Sequence, residues 1–287
     1  MFVWLGITVI WLVIGFFLAL YLKIRFIPAS DIESAILVAE RLEKEGSVPI
    51  INLLGEHCTN KAEVDKAVEK YISLIDAIKE KNLKAKISVK PTQIGLAISE
   101  DFYFGNLHRL ARRAYNQGVP LEVDVESLKY LDATLKVFLK IPGMFNVRQA
   151  IQAYLRRSWN DVKILTLYQR KIRLVKGAYS ESNLDEEERA RQLLCLTEQL
   201  LKKGHEPAIA TISDEKWLEF ICGFSDYHQV AKNAFVIQTL YGCRDDLKYQ
   251  LRDERFRVEV YVPVGLLYQA LPYLWRRIKE IYKSFVS

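Results

Sequence analysis

Cysteine is scarce in this sequence. Four residues, Cys58, Cys195, Cys222 and Cys243, lie far apart, with no CxxC pair and no histidine at ligand spacing. That pattern argues against a disulfide framework or a Cys/His zinc site and reads as free buried thiols in a reducing compartment. Also missing is any run of five or more basic residues, and any Gly/Arg or aromatic-basic tract of low complexity. The net charge of +6 is spread over intermixed Lys/Arg and Asp/Glu, so no concentrated basic face for nucleic acid is expected. The phosphate loop GxxxxGK[ST] and the GxGxxG, HExxH and GxSxG signatures do not occur. Any chemistry must therefore come from residues dispersed along the chain rather than from one compact motif.

Charge itself is absent from one long stretch. From Phe2 to Leu22 the sequence FVWLGITVIWLVIGFFLALYL contains no charged residue. As a helix rising about 1.5 Å per residue it would be roughly 31 Å long, against a hydrocarbon core of about 30 Å. A cleaved leader would need a basic start and a shorter apolar core, and neither is present. Lys23 and Arg25 follow directly, which by the positive-inside rule places the rest of the chain on the cytoplasmic side. The expectation is a single-pass anchor over residues 1–23, with residues 2–22 in the lipid bilayer, and one domain over residues 24–287.

What is present beyond the anchor is alternation. Strand-like runs occur at 48–54, 85–89, 120–125, 147–152, 171–175, 207–211, 234–238 and 257–262, rich in β-branched residues. Amphipathic helical patterns lie among them, for example over 61–81 and 184–204, and a further helix over 31–45 precedes the first strand. Eight strands alternating with helices is the count of a (β/α)8 barrel, a TIM-like fold, although alternation alone does not show closure and an open doubly wound sheet has the same signature.

Barrel chemistry sits at the C-terminal strand ends, and those ends carry polar groups in succession. They are Glu56 after strand one, Lys90 after strand two, Asp124 on strand three and Gln152 on strand four, followed by Tyr154 and Arg157. Arg173 and Lys176 belong to strand five, Thr211 to strand six, Gln238 to strand seven and Tyr261 to strand eight. Any one of these is more often an exposed loop residue than a site residue, but eight in order predict a shared pocket. The last helix adds Tyr273, Arg276, Arg277 and Glu280 at spacings of three and four, a set that can share a face. Its tandem guanidiniums match a carboxylate in geometry, while a solvated Glu–Arg face is the plainer alternative.

The strand ends and this helix together resemble the proline dehydrogenase family, flavin-dependent barrel enzymes of proline catabolism. The most specific stretch is RLVKGAY at 173–179, supported in order by LLGE (53–56), SVKPTQIGL (88–96), IQAYLRR (151–157), QTLYG (238–242) and RVEVYVPVG (257–265). The closing match is Tyr273-x-x-Arg276-Arg277-x-x-Glu280, and the likeness covers residues 31–287. The resemblance implies noncovalent FAD, oxidation of L-proline to Δ1-pyrroline-5-carboxylate, and a membrane quinone as electron acceptor. It implies that Arg276 and Arg277 hold the substrate carboxylate, that Glu56 pairs with an arginine of the last helix, and that Lys90, Asp124, Tyr261, Tyr273 and Glu280 line the substrate side. Leu240 and Ala178 would be apolar walls. Asp124, Gln152, Arg173, Lys176, Gly177, Ala178, Thr211 and Gln238 would face the flavin.

Two positions depart from the family pattern. The histidine usual after strand six is missing from Ala210-Thr211-Ile212-Ser213, and Val236 stands where glutamate is frequent. Both fall on the cofactor side, so a membrane-tethered barrel that binds an imino acid without turnover is the competing reading. A flavoenzyme for hydroxyproline or another cyclic secondary amine is a further one, and Tyr261 would crowd a ring hydroxyl in it.

Overall fold

The computed structural model describes residue 15 and residues 20–177, 184–210 and 215–286, and covers no side chain at 215–218 or 279–286. The uncharged run over residues 2–22 lies almost wholly outside these described residues; among them, no helix is long and apolar enough to cross a membrane.

The described residues form a closed barrel of eight parallel strands in sequence order. They are β1 (Val48–Leu53), β2 (Lys86–Val89), β3 (Leu121–Val123), β4 (Val147–Gln152), β5 (Lys171–Val175), β6 (Ala208–Ala210), β7 (Val236–Leu240) and β8 (Arg257–Val264). Closure runs along six positions between β1 and β8, from Val48 opposite Glu259 to Leu53 opposite Val264. That pairing carries β8 two residues beyond its expected end and settles the question of an open sheet. β7 is shifted by two residues in the same direction, running from Val236 to Leu240, because its ladder with β8 begins with Val236 opposite Arg257 and ends with Leu240 opposite Tyr261.

Helices alternate with the strands: α1 (Ile32–Lys44), α2 (Lys61–Glu80), α3 (Glu100–Gln117), α4 (Leu128–Lys140), α5 (Ser158–Leu167), α6 (Glu186–Lys203), α7 (Glu215–Tyr227), α8 (Asp245–Asp253) and α9 (Leu267–Val286). Their starts follow local chemistry. Asp31 and Asp185 each accept the backbone N–H three residues on and form reciprocal capping boxes with Ser34 and Glu188. Ile51, Ile87, Val123, Leu174, Ile237 and Val260 belong to the buried apolar layer that the strands share with the helices.

The barrel interior is built differently. Arg148 on β4 donates to Glu122 on β3 at 2.6 Å, and lies 3.5 Å from Glu259 on β8. Gln238 on β7 donates to Glu122 at 2.9 Å and to Glu259 at 2.8 Å, while Lys86 on β2 also pairs with Glu259. Bonds from β7 to β3 and from β4 to β8 span the ring, so an ionic layer fills a space that branched apolar side chains commonly fill. The charges are tolerated because each is matched by an opposite one. The four cysteines are free thiols, half-buried rather than buried as the sequence reading had it.

A second, smaller apolar cluster ties the chain's entry to its exit. Leu22, Phe26 and Ile27 pack with Leu54 at the end of β1 and with Ala270, Tyr273 and Leu274 of α9. The helical residues 20–26 thus rest against the last helix, beside the C-terminal mouth of the barrel.

Candidate active site

Asp124 is the hub of that mouth. It sits one residue past β3, and four side chains among the described residues donate to its carboxylate: Ser88 Oγ at 2.7 Å, Lys90 Nζ at 2.9 Å, Arg173 Nη1 at 2.8 Å and Tyr261 Oη at 2.7 Å. Ser88 lies within β2 and Lys90 just after it, Arg173 lies in the middle of β5, and Tyr261 within β8. Burial alone would raise the Asp124 pKa, but the Lys90 and Arg173 charges outweigh it and hold the carboxyl well below its ordinary range. Tyr261 is shifted oppositely: burial, reinforced by the Asp124 charge, lifts its phenol well above 10 and keeps it a donor. The Arg173 guanidinium also lies over the Tyr261 ring, 5.0 Å from its centroid.

The last helix closes over this group. Arg276 holds Glu56 through two parallel bonds of 3.1 and 3.2 Å. Burial pushes the Glu56 carboxyl up, and the Arg276 bond and charge, with Lys90 behind them, bring it below its usual value. Glu56 therefore links the strand-end cations to α9. Gly55 sets its direction: its φ of +154° is open to glycine, and a Cβ there would lie 2.6 Å from Gln93 Nε2. Tyr273 is buried, stacks under the Arg277 guanidinium at 5.4 Å, and adds to the rise of the Tyr261 pKa. Leu240 lies in ladder register with Tyr261, on the adjoining wall.

On the β4–β5 side, Gln152 is buried and donates to the Glu126 carbonyl at 2.9 Å. Gly177 faces it with φ +123°, where a Cβ would come within 3.0 Å of Gln152 Oε1. Only glycine fits that backbone course without strain. Arg173 Nε and Gln238 Oε1 are buried and have no hydrogen-bond partner among the described residues. An open glycine backbone, an unused guanidinium N–H and a nearby cationic pair suit a planar ligand rich in acceptors, so these residues fit a flavin.

The sequence-selected residues divide by placement. Lys90, Asp124, Arg173 and Tyr261 meet directly, and Glu56, Tyr273, Arg276 and Arg277 adjoin them. Lys176 is half-buried beside Gly177. Gln238, expected along the cofactor, has its amide nitrogen engaged by the ionic layer below Asp124, while its Oε1 has no partner among the described residues. Arg157 is turned away, paired with Asp132 and Asp161. Ala178, Thr211, Ile212, Ser213 and the Glu280 side chain lie outside the described residues. Val236 is buried at the start of β7.

Several participants were not picked out in sequence. Ser88 completes the Asp124 shell. Glu122, Arg148 and Glu259 support Arg173 and Gln238 from below. Glu126 accepts the Thr92 N–H and hydroxyl at 2.7 Å each, and the same hydroxyl takes the His57 N–H at 2.9 Å, which joins three mouth loops. A signal was available: Lys86-x-Ser88-x-Lys90, Glu122-x-Asp124-x-Glu126 and Glu259-x-Tyr261 put polar groups on one face at the strand period of two.

The chain is similar to known proteins in sequence and in fold. The family model described as Proline dehydrogenase matches residues 35–195 and 187–283. Proline dehydrogenase of Deinococcus radiodurans is 34% identical over 269 residues, with 89% of this chain and 85% of the relative covered. Proline dehydrogenase 1 of Bacillus subtilis is 31% identical over 261 residues with the same coverage. The structure of proline utilization A (PutA) from Bdellovibrio bacteriovorus superposes with a TM-score of 0.85 at 24% identity, over 90% of this chain and 32% of that one. This chain thus spans about a third of the larger protein, and that likeness speaks for the fold alone. On the family match and the two relatives, the chain belongs to the proline dehydrogenase family.

Proposed function

We propose that the protein oxidises L-proline to Δ1-pyrroline-5-carboxylate with noncovalent FAD and passes the electrons to a quinone in the membrane. Membership of the family supports the reaction. The observation that carries it is the convergence of Lys90, Arg173 and Tyr261 on Asp124, next to the Glu56–Arg276 pair.

Each residue has a definable task. Arg276 and Arg277 bind the substrate carboxylate, with Arg276 kept in place by Glu56. Asp124 stays ionised and Tyr261 stays protonated, so neither exchanges a proton at neutral pH; they fix the cations and shape the pocket. Arg173, Gln152, Lys176, Gly177 and Thr211 would hold FAD, with Gln238 acting through the ionic layer beneath. Bound FAD supplies the acceptor for the hydride that leaves the ring carbon beside the amine. The protein's share is orientation and electrostatics: a substrate pinned by its carboxylate presents that carbon in one direction. Tyr261 occupies space a ring hydroxyl would need, which favours proline over its hydroxylated analogue.

The uncharged run at residues 2–22 supports a single-pass anchor with the barrel on the cytoplasmic side, within reach of a quinone pool. The test is optical. Protein solubilised in detergent should show a flavin band that bleaches anaerobically on adding L-proline. Colourless protein that FAD does not reconstitute, yet that binds proline, would instead establish the imino-acid-binding reading.

A further inference from the structure

A cavity of about 550 Å³ opens where the uncharged N-terminal run enters the barrel, between the helical residues 20–26, α1 and the β7–α8 connection. Arg25 and Arg41 line it, with tyrosines 21, 241 and 249. Neither guanidinium makes an ion pair with a carboxylate among the described residues. Arg25 reaches Tyr21 Oη at 3.3 Å and the Gly242 carbonyl at 3.5 Å, and Arg41 donates to Tyr241 Oη at 2.6 Å. The third cation of the wall, Lys248, is committed to Asp245 at 2.9 Å and Glu45 at 3.8 Å. Two positive charges thus lie over neutral oxygens and leave the wall with one surplus positive charge.

The position of the cavity selects its ligand. On the anchor reading, on which this inference rests, residues 2–22 leave the bilayer at Lys23 and Arg25, so headgroup phosphates lie at the level of this opening. Apolar groups are exposed around it: Tyr21 and Ile24 are 56% and 68% exposed. On α9, packed against the same segment, Tyr268, Leu271 and Trp275 are also exposed, at a spacing that puts them along one side of the helix. Aromatic and aliphatic groups around a cationic recess match the interfacial zone of a membrane better than bulk water.

We infer that this cavity binds the phosphate headgroup of an anionic phospholipid, with Arg25 and Arg41 as its ligands. The guanidinium fork pairs naturally with phosphate oxygens, and the tyrosine hydroxyls add donors. A lipid held there would set the depth and tilt of the barrel beside the bilayer, with α9 and the substrate mouth turned towards it.

The experiment uses full-length protein in detergent. It is titrated with phosphatidylglycerol, phosphatidylcholine, glycerol 3-phosphate and inorganic phosphate, and bound lipid is counted by native mass spectrometry. One equivalent of phosphatidylglycerol should be retained in preference to phosphatidylcholine. The double variant Arg25→Gln/Arg41→Gln should bind it roughly 25-fold more weakly, two lost contacts of about fivefold each. Proline oxidation with a soluble dye acceptor should be unchanged in that variant. Equal binding of the two lipids, or undiminished binding by the double variant, overturns the inference. Glycerol 3-phosphate or inorganic phosphate binding as tightly as the lipid also overturns it, in favour of a free-anion site. Failure of the anchor reads out separately, as full-length protein that remains in the aqueous phase without detergent.

Discussion

Asp124 gathers donors from three other strands, and its removal shows what a buried acceptor is worth. Asp124→Ala removes the carboxylate that the buried Arg173 and the half-buried Lys90 share. Breaking a buried pair in this way costs about 3–5 kcal/mol. The variant should unfold at clearly lower urea concentration, and proline oxidation should be lost even where it remains folded. Gly177 tests the opposite side of the mouth. Gly177→Ala forces a side chain into φ +123° and against Gln152, at a cost of about 1–3 kcal/mol of backbone strain. The expected outcome is an intact fold by far-ultraviolet circular dichroism but a reduced ratio of flavin to protein absorbance.

At the scale of elements, the mouth is made by α9 meeting the strand ends through Glu56 and Arg276. Arg276→Met should raise KM for proline at least tenfold, leave kcat less affected and retain flavin, because the lost contact is to the substrate carboxylate. Flavin lost together with substrate affinity would mean that α9 holds the cofactor rather than the substrate. The ionic layer formed by β2, β3, β4, β7 and β8 acts at one remove. Glu122 lies 3.5 Å from Arg173 and supports from below the cation that Asp124 holds from above.

Over the whole molecule, carboxylates set the response to acid. Asp124, Glu56 and Glu122 have folded pKa values below their ordinary 3.8, 4.5 and 4.5, in each case because neighbouring cations outweigh burial. Between the unfolded and folded values the unfolded chain binds more protons, so the stability these groups contribute is present above about pH 4.5 and is lost as pH falls through the folded values. Glu126, raised chiefly by burial, works the other way, contributing below its ordinary value and less as pH rises through the folded one. Asp31, Glu198, Glu206 and Asp246 are lowered too, so lowered carboxylates outnumber Glu126 among the described residues, and the urea midpoint should be nearly level from pH 7 to 5 and drop steeply below about 4.5. Glu56→Gln should flatten that drop, since it removes one of the shifted carboxylates.

The strand segments, their order and the arginine pair of the last helix were legible in the chain because they rest on local information: an apolar period, a cap, a spacing of three or four residues. The flavin-side and substrate-side sets were legible as positions at strand ends, since barrel strands present their C-terminal ends to one side. Partnership was not legible. Gln238 looks in sequence like any other strand-end amide; Glu259 is its ladder partner on β8, and only closure of the ring brings Glu122 on β3 within reach of its nitrogen. Glu56 and Arg276 are 220 residues apart, and Arg25 reaches the Gly242 carbonyl across 217. Such contacts depend on the shear and curvature of the closed ring and on how α9 folds back over it. By itself, the sequence determined which residues lie on which element and face, because side-chain period follows backbone geometry. The tertiary structure alone decided which charges neutralise one another, since that depends on distances across the barrel that no local pattern encodes.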